Sequence, residues 1–123
     1  MKAKVLIVDD SSVSRRLVQG YLEAAGHEVT EAYDSMPALD QFTLEKPDMV
    51  QLDLVMRGMG GLEVLQKLRE TDSQARVIVT TADIQNSTRN MATQAGSRAF
   101  LNKPIRREEL STAVNSSLEG LNQ

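Results

Sequence analysis

The sequence predicts an α/β protein: a parallel five-stranded sheet covered by helices on both faces, built from five β-α units. Three observations lead there. Short apolar runs recur at Lys4–Val8, Met49–Leu52, Val77–Thr80 and Arg98–Leu101, too short for helices. Stretches such as Val5-Leu6-Ile7-Val8 are apolar without alternation, the pattern of a strand buried on both faces. Between the runs lie segments with helical spacing, so strand and helix alternate along the chain.

The elements follow in order. Lys4–Val8 is the first strand. Val13, Leu17, Val18, Tyr21, Leu22 and Ala25 then recur at helical spacing, an amphipathic stripe closed by Gly26. An edge strand is placed around His27–Ala32, with His27 solvated at its start. Ala38, Leu39, Phe42 and Leu44 form a second helix, introduced by Asp34-Ser35 with Pro37 in its first turn. After the strand Met49–Leu52, the residues Leu62, Val64, Leu65 and Leu68 form a third helix. The strand Val77–Thr80 leads to a weak fourth helix over Ile84–Gln94, where Asn86, Ser87, Thr88 and Asn90 are poor helix formers. Arg98–Leu101 is the last strand. Leu110, Ala113, Val114, Leu118 and Leu121 give the last helix its apolar face.

Composition excludes several functions. A chain of 123 residues has the length of a single domain, 1–123, with no room for an output domain. The absence of cysteine excludes disulfides and thiolate metal sites, and a single histidine excludes a multi-histidine site. With 14 basic and 17 acidic residues the net charge is −3, which argues against nucleic-acid binding. Two Tyr, two Phe and no Trp offer no base-stacking platform. No apolar run approaches the ~20 residues needed for membrane insertion, and Met1-Lys2-Ala3-Lys4 leads into no secretory cleavage site. A cytoplasmic protein is the expectation. The methionines are scattered, so they read as gap-fillers in the core.

In a parallel sheet of this kind, ligands bind beyond the carboxyl ends of the strands. Asp9 and Asp10 follow the first strand and Asp53 the third. Thr81 and Ala82 follow the fourth, Lys103 and Pro104 the fifth. Three carboxylates close together are unfavourable without a cation. Hard oxygen donors with room for water suit Mg²⁺. For Asp9-Asp10-Ser11-Ser12 alone, capping of the first helix by Asp10 or Ser11 explains the residues as well as a metal does. Asp53 tips the balance toward metal, because a buried strand end is an unfavourable place for a merely solvated acid. Lys103 alone reads as a surface lysine and Thr81 alone as a strand former. Together they supply a cation and a donor to a phosphoryl group carried on a carboxylate.

The ordered set Val8-Asp9-Asp10, Leu52-Asp53-Leu54, Gly58 to Leu65, Thr81-Ala82 and Lys103-Pro104 resembles the receiver domain of two-component response regulators, in its CheY-like, stand-alone form. The resemblance runs from about Lys2 to Leu118. It implies a flavodoxin-like, doubly wound sheet of strand order 2-1-3-4-5. It also implies Asp53 as phosphoacceptor, Asp10 as a direct Mg²⁺ ligand, Asp9 as an acidic partner and the backbone carbonyl of Val55 as a further ligand. Thr81 and Lys103 match the phosphoryl-sensing pair, and Phe100 the aromatic switch, although on periodicity alone Phe100 reads as core. A cis Lys103-Pro104 peptide is implied too. So is an output face on the fourth helix, fifth strand and fifth helix, with Ala82 and Pro104 beside it. There Arg98, Asn102, Ile105, Arg106 and Arg107 would meet an acidic partner segment. Val55 and Asp83, each two residues beyond a site residue, are expected to tune phosphoryl lifetime.

The chain departs from the family at Arg57, where proline is usual, and at Gly60, where aspartate is frequent. With Gly58 and Gly61, these predict a loose loop after Asp53. Gln51 replaces a usual aliphatic and, if buried, needs a hydrogen-bond partner. No chemical group is lost. The expected role is therefore a signalling protein rather than a turnover enzyme. It takes a phosphoryl group from a histidine kinase or phosphotransfer protein, then binds a downstream protein, with a phosphatase as a further partner. A monomer or weak dimer is expected. Motor control, relay and phosphate sink all fit. A small phosphohydrolase using Asp53 would need a cap or substrate pocket. A flavin carrier would need a hydroxyl- and glycine-rich loop where Asp9 and Asp10 stand. A degenerate scaffold would not retain the whole acid–Thr–Lys set.

Overall fold

The structure, a computed structural model, describes residues 2–56, 60–83 and 85–119. Strand and helix alternate throughout: β1 (Lys4–Val8), α1 (Ser12–Ala24), β2 (Glu28–Ala32), α2 (Ser35–Glu45), β3 (Met49–Asp53), α3 (Gly61–Thr71), β4 (Val77–Thr81), α4 (Asn86–Gln94), β5 (Ala99–Asn102) and α5 (Arg107–Ser117). All pairings are parallel and the strand order is β2-β1-β3-β4-β5, as expected. Every strand therefore ends on the same edge. The chain turns one way from β1 to β2 and the other way to β3, which opens a crevice between the carboxyl ends of β1 and β3.

Alternate residues of each central strand feed different cores. Leu6, Val8, Val50, Leu52, Val77 and Val79 pack with Ala38 and Phe42 of α2, Val64, Leu65 and Leu68 of α3 and Ala92 of α4. Val5, Ile7, Met49 and Ile78 pack with Val18 and Leu22 of α1 and Leu110, Ala113 and Val114 of α5. Two-sided burial is why these strands read as unbroken apolar runs. α4 buries a single side chain, Ala92, so little apolar contact holds it to the sheet.

The structure corrects several sequence expectations. β3 and β4 each run one residue further than their apolar runs, so Asp53 and Thr81 are the last residues of strands; the ladder partner of Asp53 is Thr80. β5 begins at Ala99, not Arg98. Three members of the α1 stripe are exposed, Val13 at 77%, Leu17 at 42% and Ala25, whereas Val18 and Leu22 are buried in the core and Tyr21 packs against it. Leu44 of α2 is likewise exposed. His27 is buried rather than solvated, and its Nδ1 accepts a hydrogen bond from the Ala3 N–H at 3.0 Å. Burial holds its pKa below the usual histidine value. Gln51 is buried and its Nε2 donates to Thr80 Oγ1 at 2.7 Å, while its Oε1 has no partner among the described residues. Arg57, Gly58, Ile84 and Leu121 lie outside the described residues.

Gly61 does not loosen the loop after Asp53; it allows a close approach. Its N–H donates to the Leu54 carbonyl at 3.0 Å. A Cβ on it would stand 2.6 Å from the Asp53 carbonyl oxygen and closer still to Leu54 Cα. α3 thus starts pressed against the backbone that carries Asp53. Gly60, by contrast, faces open space. Gly61→Ala is expected to destabilise the fold by about 1–3 kcal/mol, since backbone on both sides must shift. Gly60→Ser, at an N-cap position where serine is favoured, should change stability by no more than about 0.5 kcal/mol. Urea unfolding of the two variants checks the contrast.

Candidate functional site

The crevice between β1 and β3 gathers the carboxylates. Asp9 follows β1 and is 1% exposed. Its Oδ1 accepts from the Ser11 N–H at 2.9 Å, and its backbone carbonyl accepts from Arg15 Nη1 at 2.7 Å. Ser11 is the N-cap of α1, its hydroxyl accepting from the Ser14 N–H at 3.3 Å. The capping question is thereby answered by Ser11. Asp10 is left exposed, with no hydrogen-bond or ion-pair partner among the described residues. Asp53 is 4% exposed, and its Oδ1 accepts from the Val55 N–H at 3.2 Å. One carboxylate oxygen from each of Asp9, Asp10 and Asp53 lies within 4.8 Å of the others. Lys103, just past β5, reaches across β4 toward them. Its Nζ lies 2.9 Å from Asp9 Oδ2, 3.3 Å from Asp53 Oδ2 and 3.4 Å from Ser14 Oγ. The Lys103-Pro104 peptide is cis.

The charges do not balance. Burial and then the field of Asp9 push the Asp53 carboxyl up to about 6, although Lys103 and the Val55 N–H pull it down. Burial works against the Lys103 ammonium, but the hydrogen bond to Asp9 and the fields of Asp53 and Asp9 outweigh it and raise its pKa. Among the described residues one cation thus serves two buried acids, and Asp10 adds a third negative charge at the rim. Hard oxygens this close, one of them open to water, fit a hexacoordinate hard divalent cation.

The remaining predicted residues fall in varied places. Thr81 is fully buried, and its Oγ1 accepts from the Asp83 N–H at 3.1 Å. The Asp83 carboxylate is occupied at the start of α4, accepting from Thr88 Oγ1 at 2.6 Å and the Gln85 N–H at 2.9 Å. The Thr88 bond first, then the Gln85 bond, lowers its pKa. Ala82 and Pro104 are exposed, and the Val55 side chain is 65% exposed. Phe100 is half-buried against the core, with the Arg89 guanidinium 5.7 Å from its ring centroid. Asn102 is engaged too, its Nδ2 donating to the Asp83 carbonyl at 3.0 Å. Ile105 is 5% exposed and packs in the core with α1 and α5, so it cannot present itself to a partner. Arg98 lies before β5, at the far end of that strand from Asn102. Arg107 turns toward α1, 5.1 Å from the Tyr21 ring. The sequence reading missed Ser14 and Arg15. Both sit in the first two turns of α1, one turn beyond Asp10 and Ser11, and that helical offset was their signal. It also missed Val13 and Leu17, which with Lys103, Pro104 and Ile105 line an apolar cleft of about 390 Å³ beside the acids.

Comparison with known proteins agrees with this geometry. Residues 5–115 match the family model described as the response regulator receiver domain. The chain belongs to that family. It is 34% identical over 119 residues to the chemotaxis protein CheY of Bacillus subtilis, covering 96% of this chain and 99% of CheY. It is also 34% identical over 118 residues to the response regulator MprA of Mycobacterium bovis, of which it spans only 51%. Among solved structures, chemotaxis protein CheY4 of Vibrio cholerae superposes with a TM-score of 0.90 at 28% identity, over 96% of this chain and all of that one (100%).

The raised Asp53 pKa sets a pH dependence. Its folded value of about 6 lies above its ordinary value of 3.8. The group's contribution to stability is therefore present below the ordinary value and lost as pH rises through the folded one. In metal-free buffer, Asp53→Asn should stabilise the protein at pH 7–8 by about 1–3 kcal/mol. The advantage should shrink toward zero near pH 4. Denaturant unfolding of both proteins in EDTA across this range gives the difference directly.

Proposed function

We propose that this chain accepts a phosphoryl group on Asp53 from a phosphohistidine of a kinase or phosphotransfer protein. The observation that carries the reading is Lys103 Nζ, placed between two buried acids at the end of a parallel sheet. Asp9, Asp10, Asp53 and the Val55 carbonyl would hold Mg²⁺, which when bound offsets charge on the phosphoryl oxygens. A carboxylate oxygen of Asp53 attacks phosphorus in line. The donor's N–P bond breaks, the imidazole leaves with the bonding pair, and an acyl phosphate forms. Lys103, already positioned by Asp9, pairs with the new phosphoryl oxygens. Ser11 and Arg15 keep the Asp9 carboxylate and backbone in place while this happens.

The same residues suggest how the signal leaves. The Thr81 hydroxyl is bonded to the Asp83 N–H in this state, so moving to a phosphoryl oxygen means giving up that bond. The Asp83 carboxylate holds the start of α4. Displacement of Thr81 therefore pulls on the least anchored helix, while Phe100, under Arg89, fills the space released. A surface made of α4, β5 and α5, with Phe100 and Arg89 in it, then meets a protein partner. The exposed Val13 and Leu17, beside Lys103 and Pro104, suit the apolar surface of a phosphodonor. Val55 has no polar group with which to orient an attacking water, which favours a long-lived acyl phosphate.

Incubation with acetyl phosphate and Mg²⁺ should add one phosphoryl group by intact mass. Asp53→Asn should abolish the addition, and EDTA should prevent it. Labelling of Asp53→Asn at the wild-type rate at neutral pH would overturn the assignment.

A further inference from the structure

A second polar constellation lies at the opposite end of the sheet from Asp53. Arg69 in the last turn of α3, Gly96 after α4, Arg98 before β5, and Ser116 and Ser117 at the end of α5 line a cleft of about 450 Å³. Arg69 is fixed there. Its Nη1 donates to the Ala75 carbonyl at 3.1 Å, and its guanidinium lies against Gly96. A Cβ on Gly96 would stand 2.7 Å from Arg69 Nε and oblige that side chain to shift, and Gly96 has φ of +102°, a backbone conformation that calls for glycine. Among the described residues, neither Arg69 nor Arg98 has a carboxylate within ion-pair distance. Ser117 is 2% exposed, yet among the described residues its hydroxyl has no hydrogen-bond partner.

These features share one physical problem. Two guanidinium groups on one cleft repel each other, and a buried hydroxyl without a partner is left unsatisfied. An anion relieves both. Arg69 keeps donors beyond the one given to Ala75, and Arg98 offers its whole fork. Together with two serine hydroxyls they outnumber the oxygens of a carboxylate. The three or four oxygens of a phosphate suit them better.

We propose that this cleft binds a phosphate-class oxyanion, either inorganic phosphate or the phosphate of a small monoester, between Arg69 and Arg98 with the Ser117 hydroxyl as a further donor. The site does not depend on Asp53 being a phosphoacceptor. Its elements, the end of α3, the turn after α4 and the end of α5, are separate in sequence, so a bound anion bridges them. It thereby steadies the carboxyl end of α4, the helix with the thinnest apolar anchorage.

Amide shifts of the full chain in EDTA test this, with sodium phosphate titrated against sodium chloride at matched ionic strength. Phosphate should produce saturable shifts at residues 69, 96, 98 and 117, and chloride none. Phenyl phosphate reproducing them identifies monoesters as ligands; phosphate alone doing so assigns the site to the free ion. Arg98→Gln, at an exposed position, should weaken binding about tenfold, the loss of a charge-assisted bond pair. Arg98→Lys should recover part of that loss. Ser117→Ala should weaken binding several-fold without a fall in thermal midpoint, because the hydroxyl has no partner to lose. Shifts confined to the Asp53 crevice, equal shifts with chloride, equal affinity for acetate, or full affinity in Arg98→Gln would each overturn the proposal.

Discussion

Two buried carboxylates on neighbouring strands share one ammonium, and the rest of the site is arranged around that imbalance. Asp9 and Asp53 are each less than 5% exposed, and among the described residues only Lys103 faces both within 4 Å. Buried acids this close would ordinarily separate or protonate. Here the strand order prevents separation, because β1 and β3 are adjacent in the ladder and both end at the same edge. The energy of the arrangement appears instead as a raised Asp53 pKa and a demand for a further cation. A cluster of hard oxygens that is short of positive charge fits a divalent cation.

The supporting structure is rigid on one side and lightly held on the other. Gly61 lets α3 press on the backbone of Asp53 and Leu54, and Ser11 and Arg15 fix Asp9 from α1. Those contacts leave the acids little freedom. On the far side, Thr81 and Asp83 connect the site to α4 through three hydrogen bonds, and α4 offers only Ala92 to the core. A change at Thr81 meets its least resistance in that direction. The division follows from the local sequence: α3 carries Val64, Leu65 and Leu68 at helical spacing, whereas α4 carries Asn86, Ser87, Thr88 and Asn90.

Most of the fold was legible because two-sided burial leaves an unmistakable mark on β1, β3 and β4. The positions of Asp9, Asp10, Asp53 and Lys103 were legible for the same reason, since each borders a strand whose end could be counted. What escaped the sequence was orientation. Val13 and Leu17 belong to the same apolar stripe as Val18 and Leu22, and only packing separates those facing the sheet from those facing out. Ile105 looked like a surface neighbour of Arg106, but its place after Pro104 turns it into the core. His27 reads as a polar residue at a turn, and nothing local announces that Ala3, far away in sequence, supplies its donor. Gly61 looked like one flexible glycine among several, because close approach of a backbone from a neighbouring element leaves no trace in composition. That Arg69 and Arg98 line one cleft is of the same kind, since the two residues come from separate parts of the chain.

The central claim is that the acid cluster is short of positive charge until a cation arrives. The carboxyl carbon resonance of Asp53, followed against pH in wild-type protein, measures it most directly. In EDTA the resonance should titrate with a midpoint near the value of about 6 set by burial and Asp9. With saturating Mg²⁺ the midpoint should fall well below that value, since the ion favours the charged form. A midpoint in the ordinary aspartate range without metal, unchanged when Mg²⁺ is added, would contradict the account.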